Sequence, residues 1–183
     1  EKKYLFPIGE VIPFNDFWGL TKNMFPEVPR FKREKQPTVL KTKSFNTVVP
    51  ICYEGLFSEY FEGFQQPIEF IVSISNDGWF ESSLQKKWHA LIALSRSVEY
   101  RVPVLRVTND GASGSADANG SYRFVQRDQS VAFANSVRIE RKQEKTWMQK
   151  NGEIVNRIPR FLSYVVVLFL LGMAFKRRSV KNN

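Results

Sequence analysis

The chemistry open to this chain gathers around one thiol. Cys52 is the only cysteine among 183 residues. It lies in Val49-Pro50-Ile51-Cys52-Tyr53-Glu54, an apolar strand running into a turn. At such a junction the thiol projects beyond the sheet, and the amide of Tyr53 can point at a substrate oxyanion. A cysteine that attacks a carbonyl needs thiolate character, and so a nearby base or cation and partial exposure. Upstream, Lys2 and Lys3 supply cations, and Glu10 places a carboxylate on a glycine turn at the end of Tyr4-Leu5-Phe6-Pro7-Ile8-Gly9-Glu10. A lone cysteine is ordinarily a small buried hydrophobe, so the case for Cys52 rests on its surroundings.

The elements that must position it alternate between strand and helix. Thr47–Ile51, Ile68–Ser75 and Val102–Thr108 read as short buried strands, with Pro103 near a strand start, where a missing donor is tolerated. Phe57–Phe64 reads as a short helix or turn. Ser82–Tyr100 has helical spacing, with Trp88, Leu91, Ile92, Ser95 and Val98 on one face. Two further β-like stretches follow, Ser121–Gln126 and Ser130–Ile139. This pattern indicates an α/β layered sheet. Polar residues collect at three strand ends, Cys52, Asn76-Asp77 and Thr108-Asn109, the edge where parallel-type sheets build sites. Asn76 and Asp77 are turn formers expected also to border the pocket. His89 reads as structural, and Arg96 with Glu99 as a helix-face ion pair at i,i+3.

The net charge of +9 does not form a basic stripe on a recognisable module, which argues against nucleic acid as a partner. A basic surface beside anionic lipid fits better. Phe161–Phe175 is an uncharged run followed by Lys176-Arg177-Arg178. It is apolar on every face and slightly short of the roughly 20 residues of a spanning helix. Ile158 extends it, Pro159 suits a helix start, and Arg160 and Lys176 can snorkel. Residues 158–176 are therefore expected to span a membrane, and 177–183 to form a basic cytoplasmic tail. Residues 1–157 then lie on the opposite side, the periplasmic face of a bacterial inner membrane. One cysteine and the lack of a Cys/His cluster suggest no zinc site and no cofactor.

Four motifs occur in a telling order: Lys2-x-x-Leu5-x-Pro7-x-Gly9-Glu10, Ile51-Cys52-Tyr53-Glu54, Ser75-Asn76-Asp77-Gly78-Trp79-Phe80 and Thr108-Asn109-Asp110-Gly111. In that order the chain resembles the nitrilase superfamily, and more narrowly the bacterial apolipoprotein N-acyltransferases. The resemblance implies an αββα sandwich, incomplete at its N-terminus in residues 1–157, followed by one membrane helix. It implies a Glu-Lys-Cys triad, with Cys52 as nucleophile and Lys2 as the catalytic lysine. Lys2 as ammonium would hold the thiolate and donate to the oxyanion beside the Tyr53 amide. Glu10 and Glu54 would orient the site, and Trp79 and Phe80 would line the acyl-chain pocket or its mouth. Glu81 and Val102 stand where the family usually has Gly and Arg.

By resemblance, the cysteine takes an acyl chain from a phospholipid as a thioester and passes it to the N-terminal amine of a diacylglyceryl-cysteine apolipoprotein. The general-base glutamate comes from a strand upstream of the lysine, and a membrane bundle precedes the domain in the same polypeptide. The chain is therefore expected to be the C-terminal part of a longer enzyme, inactive alone. Two other functions stay open: an amidase hydrolysing small C–N bonds through the same cysteine, and an inactive membrane-anchored remnant. Thr21–Lys43 reads as a loop rich in charge and proline.

Overall fold

The computed structural model describes residues 2–5, 10, 37, 39–125 and 144–181, with side chains described as far as Met173. Six strands form one sheet in sequence order: β1 (Leu40–Lys41), β2 (Asn46–Val48), β3 (Phe70–Ser75), β4 (Val104–Thr108), β5 (Gly114–Ala116) and β6 (Tyr122–Phe124). The central pairs β2–β3 and β3–β4 are parallel, and the three outer pairs are antiparallel. The expected Ser130–Ile139 stretch and most of the Thr21–Lys43 loop lie outside the described residues.

Parallel neighbours need a crossover, and the two crossovers differ. Between β2 and β3 the chain makes two 3-10 turns, Cys52–Leu56 and Ser58–Phe61. Between β3 and β4 runs helix α1, Ser83–Tyr100, ended by Arg101 in the left-handed conformation at φ 52°. Asp117–Ser121 closes the β5–β6 hairpin, with Gly120 at φ 93° supplying the turn's positive φ.

The register Ile71↔Val104, Ser73↔Arg106 and Ser75↔Thr108 turns one face of β3 and β4 toward α1. Val48, Ile71, Val104, Leu94, Tyr100 and Phe61 form the core there. The hydroxyls of Tyr60 and Tyr100 are spent on the Val49 and Ser58 carbonyls, and burial raises both phenols above their ordinary pKa. On the opposite face, Ile74 and Val107 remain exposed.

The helix face that carries the large apolar residues at helical spacing is largely the outer one. Trp88, Ile92 and Val98 are exposed, whereas His89, Ala90, Ala93, Leu94, Arg96, Ser97 and Tyr100 are buried. The inward positions include Ala90, Ala93 and Ser97; Arg96 and the Nδ1 of His89 find partners there, while the Ser97 hydroxyl is buried without one.

The terminal helix also differs from expectation. It is α2, Trp147–Lys181, one helix of 35 residues, starting well before 158 and running through the expected tail. Thr146 and Gln149 cap each other's backbone N–H, a reciprocal capping box. Pro159 is consequently inside the helix, and the Ser163 hydroxyl donates to its carbonyl. The first turns pack on the domain: Gln149 donates to the Ile68 carbonyl, Asn156 bonds Ser58 and Glu62, and Arg160 pairs with Glu59. Beyond them the apolar side chains from Phe161 to Met173 are all exposed. Trp147–Met173 is long and apolar enough to cross a membrane.

Two substitutions distinguish the faces of α1. Leu94→Ala is expected to lose about 2–5 kcal/mol of stability, and Trp88→Ala within about 0.5 kcal/mol. Urea denaturation in detergent reads both.

Candidate active site

The site starts where β2 ends. Ile51 makes a parallel bridge to Ile74, so Cys52 leaves the sheet beside Ser75, and Ser75 is itself in register with Thr108. The three polar strand ends legible in the sequence thus share one sheet edge. Cys52 opens its 3-10 turn at φ 54° and is half-buried. A non-glycine residue holds this left-handed conformation at a cost of about 1–3 kcal/mol, and only where its surroundings enforce it.

Glu54 provides that enforcement at one end of the turn. Its carboxylate is 1% exposed. One oxygen accepts from the Lys3 and Tyr4 amides at 2.5 and 3.2 Å, and the other from the Ile51 amide at 2.9 Å. Residues 2–5 are thereby tied to the Cys52 turn across some fifty positions of sequence. Tyr4 and Tyr53 both pack on Phe57, at 4.9 and 4.8 Å between ring centroids. Lys2 and Glu10 form an ion pair, Nζ to Oε1 at 2.5 Å, with the lysine side chain 12% exposed. A thiol, a carboxylate-bound ammonium and the first amides of a helical turn are among the parts that acyl capture by a cysteine uses.

The four residues expected around the pocket separate. Asn76 is exposed and accepts from the Gly78 amide. Trp79 is 76% exposed, while Phe80 is half-buried with its ring edge-on to His89. Asp77 is wholly buried and ties neighbouring elements together. It accepts from Arg106 at 2.7 Å and from Ser75 at 2.6 Å, and His89 Nδ1 lies 2.9 Å away. Burial pushes its carboxyl up, but hydrogen bonds from His89 and Ser75 and the charges of Arg106 and His89 outweigh this. The net effect lowers it from 3.8 to about 2. A Cβ on Gly111 would lie 2.6 Å from Asp77 Oδ2, so the second polar loop rests directly on this carboxylate. Lys86 holds the same loop through Asp110 at 2.8 Å.

Sequence reasoning missed two arginines. Arg106, 1% exposed, also donates to Ser73. An arginine on the inward parity of a buried strand requires a buried acid, and Asp77 was the candidate at hand. Arg96 does pair with Glu99, as expected, but also donates to the Gly55 and Leu56 carbonyls. Nothing in the helix spacing signals those backbone contacts. Beside the site, a polar cleft of about 180 Å3 opens between Lys3, Tyr4, Glu59, Glu62, Asn156 and Arg160. Among the described residues, no group of His, Cys, Asp and Glu could hold a metal ion.

The chain as a whole has known relatives. Residues 7–147 match the model of the carbon-nitrogen hydrolase family, and the chain belongs to that family. Within it, the chain is similar to the apolipoprotein N-acyltransferase of Bdellovibrio bacteriovorus, 32% identical over 124 residues covering 65% of this chain and 23% of that one. The apolipoprotein N-acyltransferase of Haemophilus influenzae is 28% identical over 185 residues, covering 98% of this chain and 34% of its own length. The chain thus spans about a quarter to a third of these curated relatives. A solved carbon-nitrogen hydrolase of Helicobacter pylori superposes with a TM-score of 0.45 at 12% identity, covering 55% of this chain and 42% of that one.

The buried acid gives a pH signature. Because the folded state lowers the Asp77 carboxyl to about 2, its contribution to stability is complete above about pH 4 and is lost as pH falls toward 2. Asp77→Asn is expected to cost about 3–5 kcal/mol by leaving Arg106 buried without its partner, and to remove that acid-limb dependence. Urea denaturation as a function of pH measures both.

Proposed function

We propose that this chain is the C-terminal part of a bacterial inner-membrane N-acyltransferase that completes lipoprotein maturation. Cys52 takes a fatty acyl chain from a phospholipid as a thioester and yields it to the N-terminal amine of a diacylglyceryl-cysteine apolipoprotein. The observation that carries the proposal is Glu54 joining residues 2–5 to the Cys52 turn, which draws the lysine segment to the thiol. The curated relatives named apolipoprotein N-acyltransferase support the same reading.

The steps follow from the groups present. The thiolate attacks the ester carbonyl, the S–C bond forms, and the tetrahedral oxyanion is held by the Lys2 ammonium and the Tyr53 amide. Collapse expels the lysophospholipid alkoxide, which takes a proton. The acceptor amine then attacks the thioester, loses a proton and releases the thiolate. The general base is a glutamate on another segment of the same polypeptide, which also carries the preceding membrane bundle. Glu10 and Glu54 orient the lysine and the turn. Trp79 and Phe80 border the mouth through which the acyl chain enters.

α2 anchors the domain, with residues 1–157 on the periplasmic side and the basic C-terminal end in the cytoplasm. A long exposed apolar helix favours this over a soluble amidase. An acyl-filled, water-poor pocket at a membrane surface would also let an amine outcompete water for the thioester.

The test is transfer of acyl chains to a diacylglyceryl peptide by the protein expressed in membranes from its natural reading frame. Cys52→Ala is expected to abolish transfer, and Lys2→Ala to lower it by at least about 100-fold. Undiminished transfer by Cys52→Ala contradicts the proposal.

A further inference from the structure

A five-residue 3-10 turn makes few hydrogen bonds of its own, and its last carbonyls find no partner within it. In the turn Cys52–Leu56 those carbonyls belong to Gly55 and Leu56, and one side chain takes both. Arg96 donates from Nε to the Gly55 oxygen at 3.1 Å and from Nη2 to the Leu56 oxygen at 2.7 Å. Its third nitrogen, Nη1, is gripped by both oxygens of Glu99 at 2.6 and 2.5 Å. The residue is 6% exposed, so this is no screened surface pair of little consequence. A planar guanidinium can bridge two neighbouring carbonyls at fixed angles, which a lysine ammonium cannot reproduce.

We propose that Arg96 is a positioning residue for acyl capture: from α1 it pins the C-terminal end of the nucleophile turn, and so fixes the aim of the Cys52 thiol and the Tyr53 amide. Glu54 holds the opposite end through the Ile51 amide. Between the two clamps, Cys52 is kept at φ 54°. Gly55 lies against Ser73 and Ala93, so that a Cβ there would meet Ser73 Oγ at 3.5 Å, and the turn sits on the surface from which Arg96 reaches. The inference rests on the reading of Cys52 as the acyl-accepting nucleophile.

Two thiol reactions separate aim from mere presence. Acylation by a p-nitrophenyl fatty ester forms the S–C bond at a carbonyl, passes through an oxyanion and expels p-nitrophenolate, with the thiol proton going to base. Alkylation by iodoacetamide displaces iodide from a saturated carbon and makes no oxyanion. Both are followed by mass spectrometry on the Cys52 peptide, using the protein expressed in membranes from its natural reading frame. Arg96→Met is expected to slow acylation by at least about tenfold, as a misplaced oxyanion donor should, while alkylation changes by less than about threefold for want of an oxyanion to stabilise. Arg96→Lys should recover part of the loss, and Glu99→Gln should show a smaller loss of the same kind; these two carry the test should Arg96→Met not fold. Acylation and alkylation falling in parallel, or neither falling, overturns the positioning role. A wild-type Cys52 that alkylates but accepts no acyl group overturns instead the nucleophile reading beneath it.

Discussion

Three backbone N–H groups from two distant stretches of chain converge on the carboxylate of Glu54, and the candidate site is built outward from there. A carboxylate almost wholly removed from water is tolerated only where donors replace the lost solvent. The donors here are the amides of Lys3, Tyr4 and Ile51. Satisfying them fixes the lysine segment against the turn that carries the thiol, with no need for a long-range side-chain pair. The strained backbone of Cys52 is affordable for the same reason, since the sheet bridge at Ile51 and the clamp at Glu54 leave the turn little freedom.

The remaining elements brace this arrangement from two directions. Behind the turn, α1 supplies Arg96 to the carbonyls of Gly55 and Leu56. It also supplies His89 to the buried Asp77–Arg106 pair, on which the loop around Gly111 rests. To the side, the first turns of α2 bond to the Ser58–Phe61 turn immediately after the Cys52 turn. The helix able to cross a membrane therefore begins as part of the domain, so the site is held at a fixed reach from the point where the chain would enter lipid.

Much of this was legible in the residues. Three buried strands ending in polar bursts placed Cys52, Asn76 and Asn109 on one edge, because apolar runs bounded by turn formers leave few alternatives. The apolar run after Phe161 was legible from its all-round hydrophobicity. The face of α1 was not legible. Pattern reading assigns large apolar residues to the core, whereas here close sheet packing buries Ala90, Ala93 and Ser97 and leaves Trp88 outside. The start of α2 was hidden because its cap, Thr146-x-x-Gln149, precedes a stretch too polar to read as continuous with the apolar run. The tie from Asp77 to Arg106, twenty-nine positions on, was not legible, because no local pattern reports such a pair.

The central claim is that Cys52 carries the acyl group in transit. Its most direct measurement is peptide mass spectrometry of the membrane-expressed protein after incubation with phospholipid in the absence of acceptor. The account predicts a fatty acyl adduct on the Cys52 peptide that hydroxylamine removes, as it does a thioester. An unmodified Cys52, from protein that nonetheless transfers acyl chains once acceptor is added, would contradict it.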